Sequence, residues 1–203
     1  MSPPGGKESD DHLARLVRDS VGAHQAVVEA SLASLVPQIL EYGRLVAEAF
    51  RGGKKLLACG NGGSAAEAQH LVAELVGRFH TERRPLPAIA LTTDTSILTA
   101  VGNDYGYREV FARQVQALAA PGDALLLIST SGNSENILAA AERGREIGTV
   151  TIALTGRSGG RLATLADLAL RVPADDTPRI QEMHLLIDHC LCEVVERLLG
   201  FTR

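Results

Sequence analysis

The stretch "ALLLISTSGNSEN", Ala124–Asn136, joins a run of aliphatic residues directly to a run of hydroxyl and amide side chains. A short, unbroken aliphatic run is typical of a strand that is buried on both faces of a parallel sheet. The polar residues stand where such a strand ends and the next helix begins. The stretch therefore predicts a buried strand, a polar turn and a helix that starts near Ser134.

The same alternation continues along the chain and predicts an α/β fold. Helical patterns separate the aliphatic runs, and the last helix spans about residues 178–199. The other aliphatic runs are "KLLAC" (55–59), "AIAL" (88–91), "VTIAL" (150–154) and a weaker "LALRV" (168–172). We therefore predict a three-layer α/β/α sandwich around a five-stranded parallel sheet.

The N-terminal part of the chain lacks aliphatic runs of this kind. Residues 1–9 are rich in Pro, Gly and charge, which predicts disorder. Apolar residues at helical spacing then predict a helical hairpin made of residues 10–34 and 36–51, closed by Gly52 and Gly53. Residues 10–203 would form one domain. The apolar stripe of the hairpin needs a partner, so we expect a homo-oligomer.

Composition excludes several classes of function. The net charge is −4 and no basic run is present, so nucleic acid is not an expected partner. The apolar runs are too short to span a membrane, and "MSPPGGKESDDH" lacks the apolar core of a signal peptide. Three cysteines argue against a disulfide framework and favour a reducing cytoplasm. Cys59 is expected to be a small buried hydrophobe, and Cys190 and Cys192 point to different sides of a helix.

The hydroxyl-rich turn after the central strand is the first candidate binding site. Serine and threonine hydroxyls, together with the free amides at a helix start, form a good cradle for a phosphate group. A simpler alternative is that Ser131 or Asn133 only caps the helix. Five polar side chains exceed what a cap needs, so phosphate binding is favoured.

A glycine-rich loop, "GNGGS", follows the first predicted strand. It fits neither a dinucleotide-binding nor a P-loop pattern, so nucleotide binding is not indicated. Its glycines would let a small ligand approach the backbone closely, although an ordinary tight turn would show the same spacing.

Two helices carry residues suited to metal binding or proton transfer. His70 and Glu74 are four residues apart and therefore share a helix face, a spacing that is also common in plain surface contacts. On the last helix, Gln181 and His189 are separated by about 80° and 12 Å, so their convergence requires extended side chains. His184 lies on another side and is expected to be a packed or interface histidine.

With these pieces placed, the chain resembles the sugar isomerase (SIS) domain family, and within it the bacterial phosphoheptose isomerases. The resemblance covers nearly the whole chain. Its motifs are "CGNGGSAAEAQHLVAEL", "AVGNDYGY", "LLLISTSGNSENILAA", "IALTGRSGG" and "TPRIQEMHLLIDH". The hydroxyl turn marks SIS domains in general, whereas His70, Glu74, Gln181 and His189 make the resemblance specific.

The resemblance implies conversion of D-sedoheptulose 7-phosphate into D-glycero-D-manno-heptose 7-phosphate, the first step towards nucleotide-activated heptoses. It also implies a homotetramer with active sites between subunits and one zinc ion in each site. The implied phosphate ligands are Ser129, Thr130, Ser131 and Ser134. Residues implied around the sugar are Asn61, Gly62, Gly63, Ser64, Asn103, Asp104, Glu74 and Gln181. The implied zinc ligands are His70, Glu74, Gln181 and His189.

Glu74 and His189 are also the implied acid–base pair. Isomerisation through an enediol needs a base for a carbon-bound proton and an acid for the neighbouring oxygen. A carboxylate bound to zinc is a weaker base, so either Glu74 leaves the metal during turnover or the zinc is structural or inhibitory. One departure from some relatives is Pro178, which stands where they have an acidic residue, and Asp175 or Asp176 is the candidate substitute.

Other classes of SIS protein remain alternatives at this stage. The main one is a non-catalytic regulator that binds the replication initiator protein, although the presence of His189 favours an enzyme. Aminosugar isomerases and etherases acting on N-acetylmuramic acid 6-phosphate are usually longer or place their catalytic glutamate differently. A sugar-phosphate sensor would need a DNA-binding module, and the sequence predicts none.

Overall fold

The computed structural model describes residues 9–201. In this part of the chain, one five-stranded sheet lies between two layers of helices. The sequence predicts disorder for residues 1–9; residues 1–8 lie outside the described residues, and Ser9 is the N-cap of the first helix. The strands are β1 (Leu56–Gly60), β2 (Ala88–Ala90), β3 (Ala124–Ser129), β4 (Val150–Thr155) and β5 (Leu168–Arg171). The helices are α1 (Asp10–Arg51), α2 (Gly63–Val76), α3 (Thr95–Tyr105), α4 (Ala112–Leu118), α5 (Glu135–Ile147), α6 (Leu162–Leu165) and α7 (Thr177–Leu198), with a 3₁₀ turn at Tyr107–Glu109.

The sheet has the order β2-β1-β3-β4-β5, and every pair of neighbouring strands is parallel. One core cluster lies between the sheet and helices α1, α2 and α7, and includes Tyr42, Leu71 and Ile187. A second cluster covers the other face under α4, α5 and α6, and includes Val115 and Ile137. The predicted three-layer α/β/α fold is therefore confirmed.

The N-terminal region differs from the prediction in one respect. Helical structure over residues 10–51 is confirmed, but it forms one continuous helix of 42 residues instead of two helices joined by a turn. Pro37 lies exposed inside α1. The helix continues because Leu35, Tyr42 and Val46, on both sides of the proline, are buried in the same core cluster.

None of the helices among residues 9–201 combines the length and the apolar character needed to cross a membrane.

Candidate active site

The strand order places two polar loops side by side at the carboxyl edge of the sheet. The chain leaves β1 towards β2 on one side, while β3, β4 and β5 extend to the other side. In open parallel sheets a crevice for ligands forms at this point, where the strand order changes direction. The glycine-rich loop follows β1 and the hydroxyl turn follows β3, so both predicted loops border the crevice.

A pair of reciprocal amide bonds connects these two loops. Asn61 Nδ2 donates to Asn136 Oδ1 at 2.9 Å, and Asn136 Nδ2 donates back to Asn61 Oδ1 at 2.8 Å. Tyr107 donates its hydroxyl to the same Asn61 oxygen at 3.0 Å. These bonds orient the Asn61 amide so that its oxygen is engaged and one of its two N–H groups is left for a ligand. Neither Asn136 nor Tyr107 is among the site residues predicted from the sequence.

The hydroxyl turn surrounds the amino terminus of α5. Ser134 is the residue before the helix, and Ser129 Oγ lies 3.1 Å from Ser134 Oγ. Ser131 Oγ accepts a bond from the amide of Asn133 at 3.2 Å. Ser134 is the N-cap residue of α5, but its side chain makes no capping hydrogen bond. The positive end of a 13-residue helix therefore faces a group of hydroxyls, an arrangement suited to an anion.

Glycine is required where this turn packs against the loop after β4. Gly132 has a φ of +64°, and a Cβ built on it would lie 2.1 Å from the carbonyl oxygen of Gly159. Thr130 accepts a bond from the Gly156 amide at 2.9 Å. The shape of the hydroxyl turn is thus fixed by a neighbouring backbone segment.

The predicted acid–base and metal residues converge between α2 and α7. His70 Nε2 lies 2.9 Å from His189 Nε2, although the two residues are 119 positions apart in the chain. Glu74 Oε1 lies 3.6 Å from His70 Nε2. The side chains of His70 and Glu74 are 42% and 25% exposed, so solvent and small ligands can reach them.

Gln181 joins this group from the first turns of α7. A Cβ built on Gly63 would lie 2.5 Å from Gln181 Nε2, so the Gln181 amide packs directly over the loop. Gly63, Gln181 and His70 line one cavity of about 390 Å³. The glycine-rich loop, Gln181 and His70 therefore border a common space.

The donor set fits zinc by its chemistry. Two imidazole nitrogens, a carboxylate oxygen and an amide oxygen are all ligands that zinc or a similar divalent ion accepts. The facing Nε2 atoms of His70 and His189 can share one hydrogen, or both can direct a lone pair at a cation. Among residues 9–201, no three His, Cys, Asp or Glu side chains already stand in metal-binding geometry, so metal binding would require these side chains to move.

Asn103 and Asp104 are two further predicted sugar ligands. Both lie exposed near the end of α3, and Asn103 Nδ2 donates to Asp104 Oδ1 at 2.8 Å. Of the remaining predicted residues, Gly62 precedes α2 with a φ of +57°, and Ser64 is buried in its first turn.

A buried polar layer, unnoticed in the sequence, lies beside the cavity. His184 is fully buried, and its Nε2 donates to the Thr155 carbonyl at 3.1 Å, so its expected packing role is confirmed. Its Nδ1 lies 3.6 Å from Glu67 Oε1. Tyr42 donates to Asp188 Oδ1 at 3.4 Å on the same side of the sheet. Burial raises the pKa of Glu67 to about 10 and lowers the pKa of His184 to about 4.

Cys59 is a core residue, as expected. It is completely buried, and burial raises the pKa of its thiol.

Pro178 occupies the first turn of α7, where a proline is well tolerated. Asp175 accepts a bond from Arg157 Nε at 2.9 Å, and Asp176 precedes the helix. Both candidate substitutes for an acidic residue at position 178 are thus present at the start of α7.

Comparisons with known proteins agree with this architecture. The SIS domain family model matches residues 21–156. The phosphoheptose isomerase of Geotalea daltonii is 55% identical over 188 residues, spanning 92% of this chain and 98% of its own length. The phosphoheptose isomerase of Aquifex aeolicus is 50% identical over 188 residues, spanning 93% of this chain and 96% of its own length.

Solved structures point in the same direction. The phosphoheptose isomerase from Neisseria gonorrhoeae superposes with a TM-score of 0.87 at 42% identity, covering 91% of this chain and 99% of its own. That from Francisella tularensis gives a TM-score of 0.88 at 42% identity, covering 91% and 98%. The fold, the paired loops and the site thus define a SIS domain of the sugar-phosphate isomerase class. Within that class, the chain belongs to the phosphoheptose isomerase family.

Proposed function

We propose that the chain interconverts D-sedoheptulose 7-phosphate and D-glycero-D-manno-heptose 7-phosphate, the first step in making nucleotide-activated heptoses. The observation that carries the proposal is the meeting of His70, Glu74 and His189 from two separate helices. The relatives at 50–56% identity, which are named phosphoheptose isomerases, supply the substrate class. Their names also argue against the alternative of a regulator that binds the replication initiator.

The hydroxyl turn is the proposed phosphate site. Ser129, Thr130, Ser131 and Ser134 would donate hydroxyl hydrogens to the phosphate oxygens at the positive end of α5. No lysine is needed, because neutral donors and the helix dipole share the stabilisation. Asn61 would present its free N–H to the sugar, alongside the backbone of Gly62 and Gly63 and near Ser64.

Glu74 and His189 are the proposed proton carriers. The reaction moves one proton between adjacent carbons and exchanges the protons on their oxygens. Glu74 would take the carbon-bound proton and return it to the neighbouring carbon. His189 would give a proton from its ring nitrogen to the carbonyl oxygen as the enediol forms, and take one back when the new carbonyl forms. His70 lies between the two groups and limits how their side chains can move.

One zinc ion per subunit is the proposed cofactor. His70, Glu74, Gln181 and His189 would hold it, Gln181 through its amide oxygen. When bound, zinc would polarise the carbonyl oxygen or position the sugar hydroxyls. Because a carboxylate bound to zinc is a weaker base, the metal and base roles of Glu74 compete.

A homotetramer with active sites between subunits is the proposed assembly, and the cytoplasm is the proposed location. Asn103 and Asp104 support the assembly, since they are expected sugar ligands that lie exposed at the end of α3. A neighbouring subunit could bring these side chains into a shared site. Three free cysteines, two of them buried, support a reducing compartment.

The test is a direct isomerisation assay. The protein is incubated with D-sedoheptulose 7-phosphate, with and without a chelator, and the aldose is measured. In a second assay, the aldose labelled with deuterium at C2 is followed for loss of label to solvent. The expected result is turnover by the wild type and a loss of both turnover and exchange in Glu74→Gln, on the order of a hundredfold or more.

The control is Glu82→Gln, since Glu82 has a side chain that is 89% exposed on the loop after α2. This variant should keep wild-type turnover. A wild type that binds the sugar phosphate without converting it would contradict the proposed reaction. Exchange retained in Glu74→Gln would remove Glu74 from the role of base.

A further inference from the structure

A buried ion pair links the elements that carry the two proposed proton carriers. Arg83 Nε donates to Glu196 Oε1 at 2.9 Å, and the side chains of Arg83 and Glu196 are 0% and 5% exposed. Arg83 follows α2, whereas Glu196 lies near the end of α7. A pair this deeply buried is costly to desolvate unless every donor and acceptor is used.

On the Arg83 side, the guanidinium binds the end of α2. Its Nη2 donates to the carbonyl of Glu74 at 2.9 Å, and its Nη1 donates to the carbonyl of Leu75 at 2.9 Å. The last carbonyls of a helix lack partners within the helix, so Arg83 caps α2 at the residue that carries the proposed base. The position of Glu74 along the helix is thereby tied to Arg83.

On the Glu196 side, the carboxylate binds the loop after α2. It accepts the amides of Phe79 and His80, both at 3.4 Å, and the amide of Thr81 at 3.1 Å. Although burial alone would raise the pKa of Glu196, the bonds from Arg83 and Thr81 outweigh it and hold that pKa below its ordinary value. The loop so held places the Phe79 ring against the His189 ring, with centroids 5.7 Å apart and planes 25° apart.

Glu196 also has a fixed relation to His189 along α7. The two residues are seven positions apart, which is about two turns, so they lie on the same helix face about 10.5 Å apart. A shift of the loop relative to α7 would move Phe79 away from His189 and move α2 away from α7. The contact of 2.9 Å between His70 and His189 depends on that spacing.

We infer that Arg83 and Glu196 are positioning residues that set Glu74 and His189 relative to each other for proton transfer. The effect on kcat that this role predicts rests on the proposed function. The effect on the relative positions of Glu74 and His189 rests only on the contacts described above. Neither residue touches the cavity itself. Arg83 acts through its bond to the Glu74 carbonyl, and Glu196 acts through the loop that carries the ring of Phe79.

A second buried ion pair supplies a matched control. Asp123, just before β3, has a side chain that is 2% exposed and accepts bonds from Lys55 Nζ, from the Lys55 amide and from the Ala120 amide. Glu196→Gln and Asp123→Asn each remove one buried carboxylate charge that binds a cation and backbone amides. Both variants should unfold at a lower temperature than the wild type.

The experiment compares kcat and KM for D-sedoheptulose 7-phosphate well below the unfolding temperatures. We expect Glu196→Gln and Arg83→Lys to lower kcat on the order of tenfold or more, with KM within about threefold of wild type, because small misplacements of reacting groups are expensive. Asp123→Asn should keep kcat. Equal kcat losses in Glu196→Gln and Asp123→Asn would overturn the inference and leave only a general stabilising role.

A readout independent of turnover separates this inference from the proposed function. The ring signals of His189 are recorded by NMR at one pH, with His189→Gln used for assignment. Glu196→Gln should shift the position of these signals, because the Phe79 ring packs against the His189 ring, and Asp123→Asn should leave them unchanged. Unchanged signals in Glu196→Gln would overturn the inference, whereas an inactive wild type with shifted signals would refute only the proposed reaction.

Discussion

At the scale of single residues, burial and hydrogen bonds determine the protonation states of the buried polar layer next to the cavity. His184 donates Nε2–H to the Thr155 carbonyl, so its Nδ1 faces Glu67 without a hydrogen when the ring is neutral. Burial lowers the pKa of His184 to about 4. Asp188 and Tyr42 lie in the same layer, and burial raises the pKa of both.

This layer makes the free energy of unfolding depend on pH. The unfolded chain protonates His184 near its ordinary pKa, whereas the folded chain does so only near pH 4. The unfolded state therefore binds more protons between these values, and stability falls as the pH is lowered through this window. Glu67, with a raised pKa, contributes the opposite trend at higher pH, because folding keeps its carboxyl protonated.

We predict that His184→Gln removes the part of this pH dependence that His184 contributes. The glutamine amide can still donate to the Thr155 carbonyl but does not titrate. From pH 6.5 to pH 4, the wild type should lose on the order of 3 kcal/mol more stability than the variant. Urea denaturation at a series of pH values and one protein concentration measures this difference. Parallel curves for the two proteins would show that His184 is not neutral in the folded state.

Single residues also show what the sequence could and could not reveal about the site. The spacing of His70 and Glu74 identifies a shared helix face, and the structure places the two side chains 3.6 Å apart. The contact between His70 and His189 spans 119 positions and depends on how α2 packs against α7, which no local pattern encodes. Asn136 lies in the first turn of α5, and only the strand order brings it to Asn61.

At the scale of secondary-structure elements, the strands were predictable because each is a short aliphatic run. All five predicted strands are present within one or two residues of their predicted ends. The long first helix was not predictable in the same way, because Pro37 is a strong local signal for a break. Tertiary burial of Leu35 and Tyr42 outweighs that signal.

The exposed proline in the middle of α1 leads to a stability prediction. Pro37 has no N–H to donate to the carbonyl four residues earlier, so α1 lacks one bond at that turn. We expect Pro37→Ala to raise the free energy of unfolding by about 1–3 kcal/mol. Thermal and urea denaturation at a fixed protein concentration provide the measurement.

Pro178 provides the comparison for this prediction. It lies in the first turn of α7, where the missing N–H would have no helical partner in any case. Pro178→Ala should therefore give no gain in stability. A gain of the same size in both variants, or none in Pro37→Ala, would mean that α1 is not strained by its proline.

At the scale of the whole molecule, the single chain leaves an apolar surface on α1 and α7 uncovered. A groove of about 460 Å³ lies between these helices, and its lining includes Leu32, Val36, Leu40 and Leu186. Leu32 is 61% exposed, and further exposed leucines and valines continue along α1 towards its amino end. Exposed apolar surface of this extent marks an interaction site, and the proposed tetramer would cover it.

We predict that Leu32→Glu weakens the assembly. A charge placed in the groove would have to be desolvated at an interface, which costs more free energy than a surface contact can return. Light scattering with size-exclusion chromatography should show a smaller species than the wild type at equal concentration. If active sites lie between subunits, specific activity should fall together with the assembled fraction, and it should recover as the protein is concentrated.

Leu118→Glu is the control, because Leu118 is 40% exposed at the end of α4, on the opposite face of the sheet. The control should keep both the wild-type assembly and the wild-type activity, which separates an effect of the groove from an effect of any added surface charge. A dissociated Leu32→Glu that stayed fully active at every concentration would place a complete active site within one chain. Asn103 and Asp104 would then have no role in a neighbour's site, and their exposure on α3 would be an ordinary surface feature.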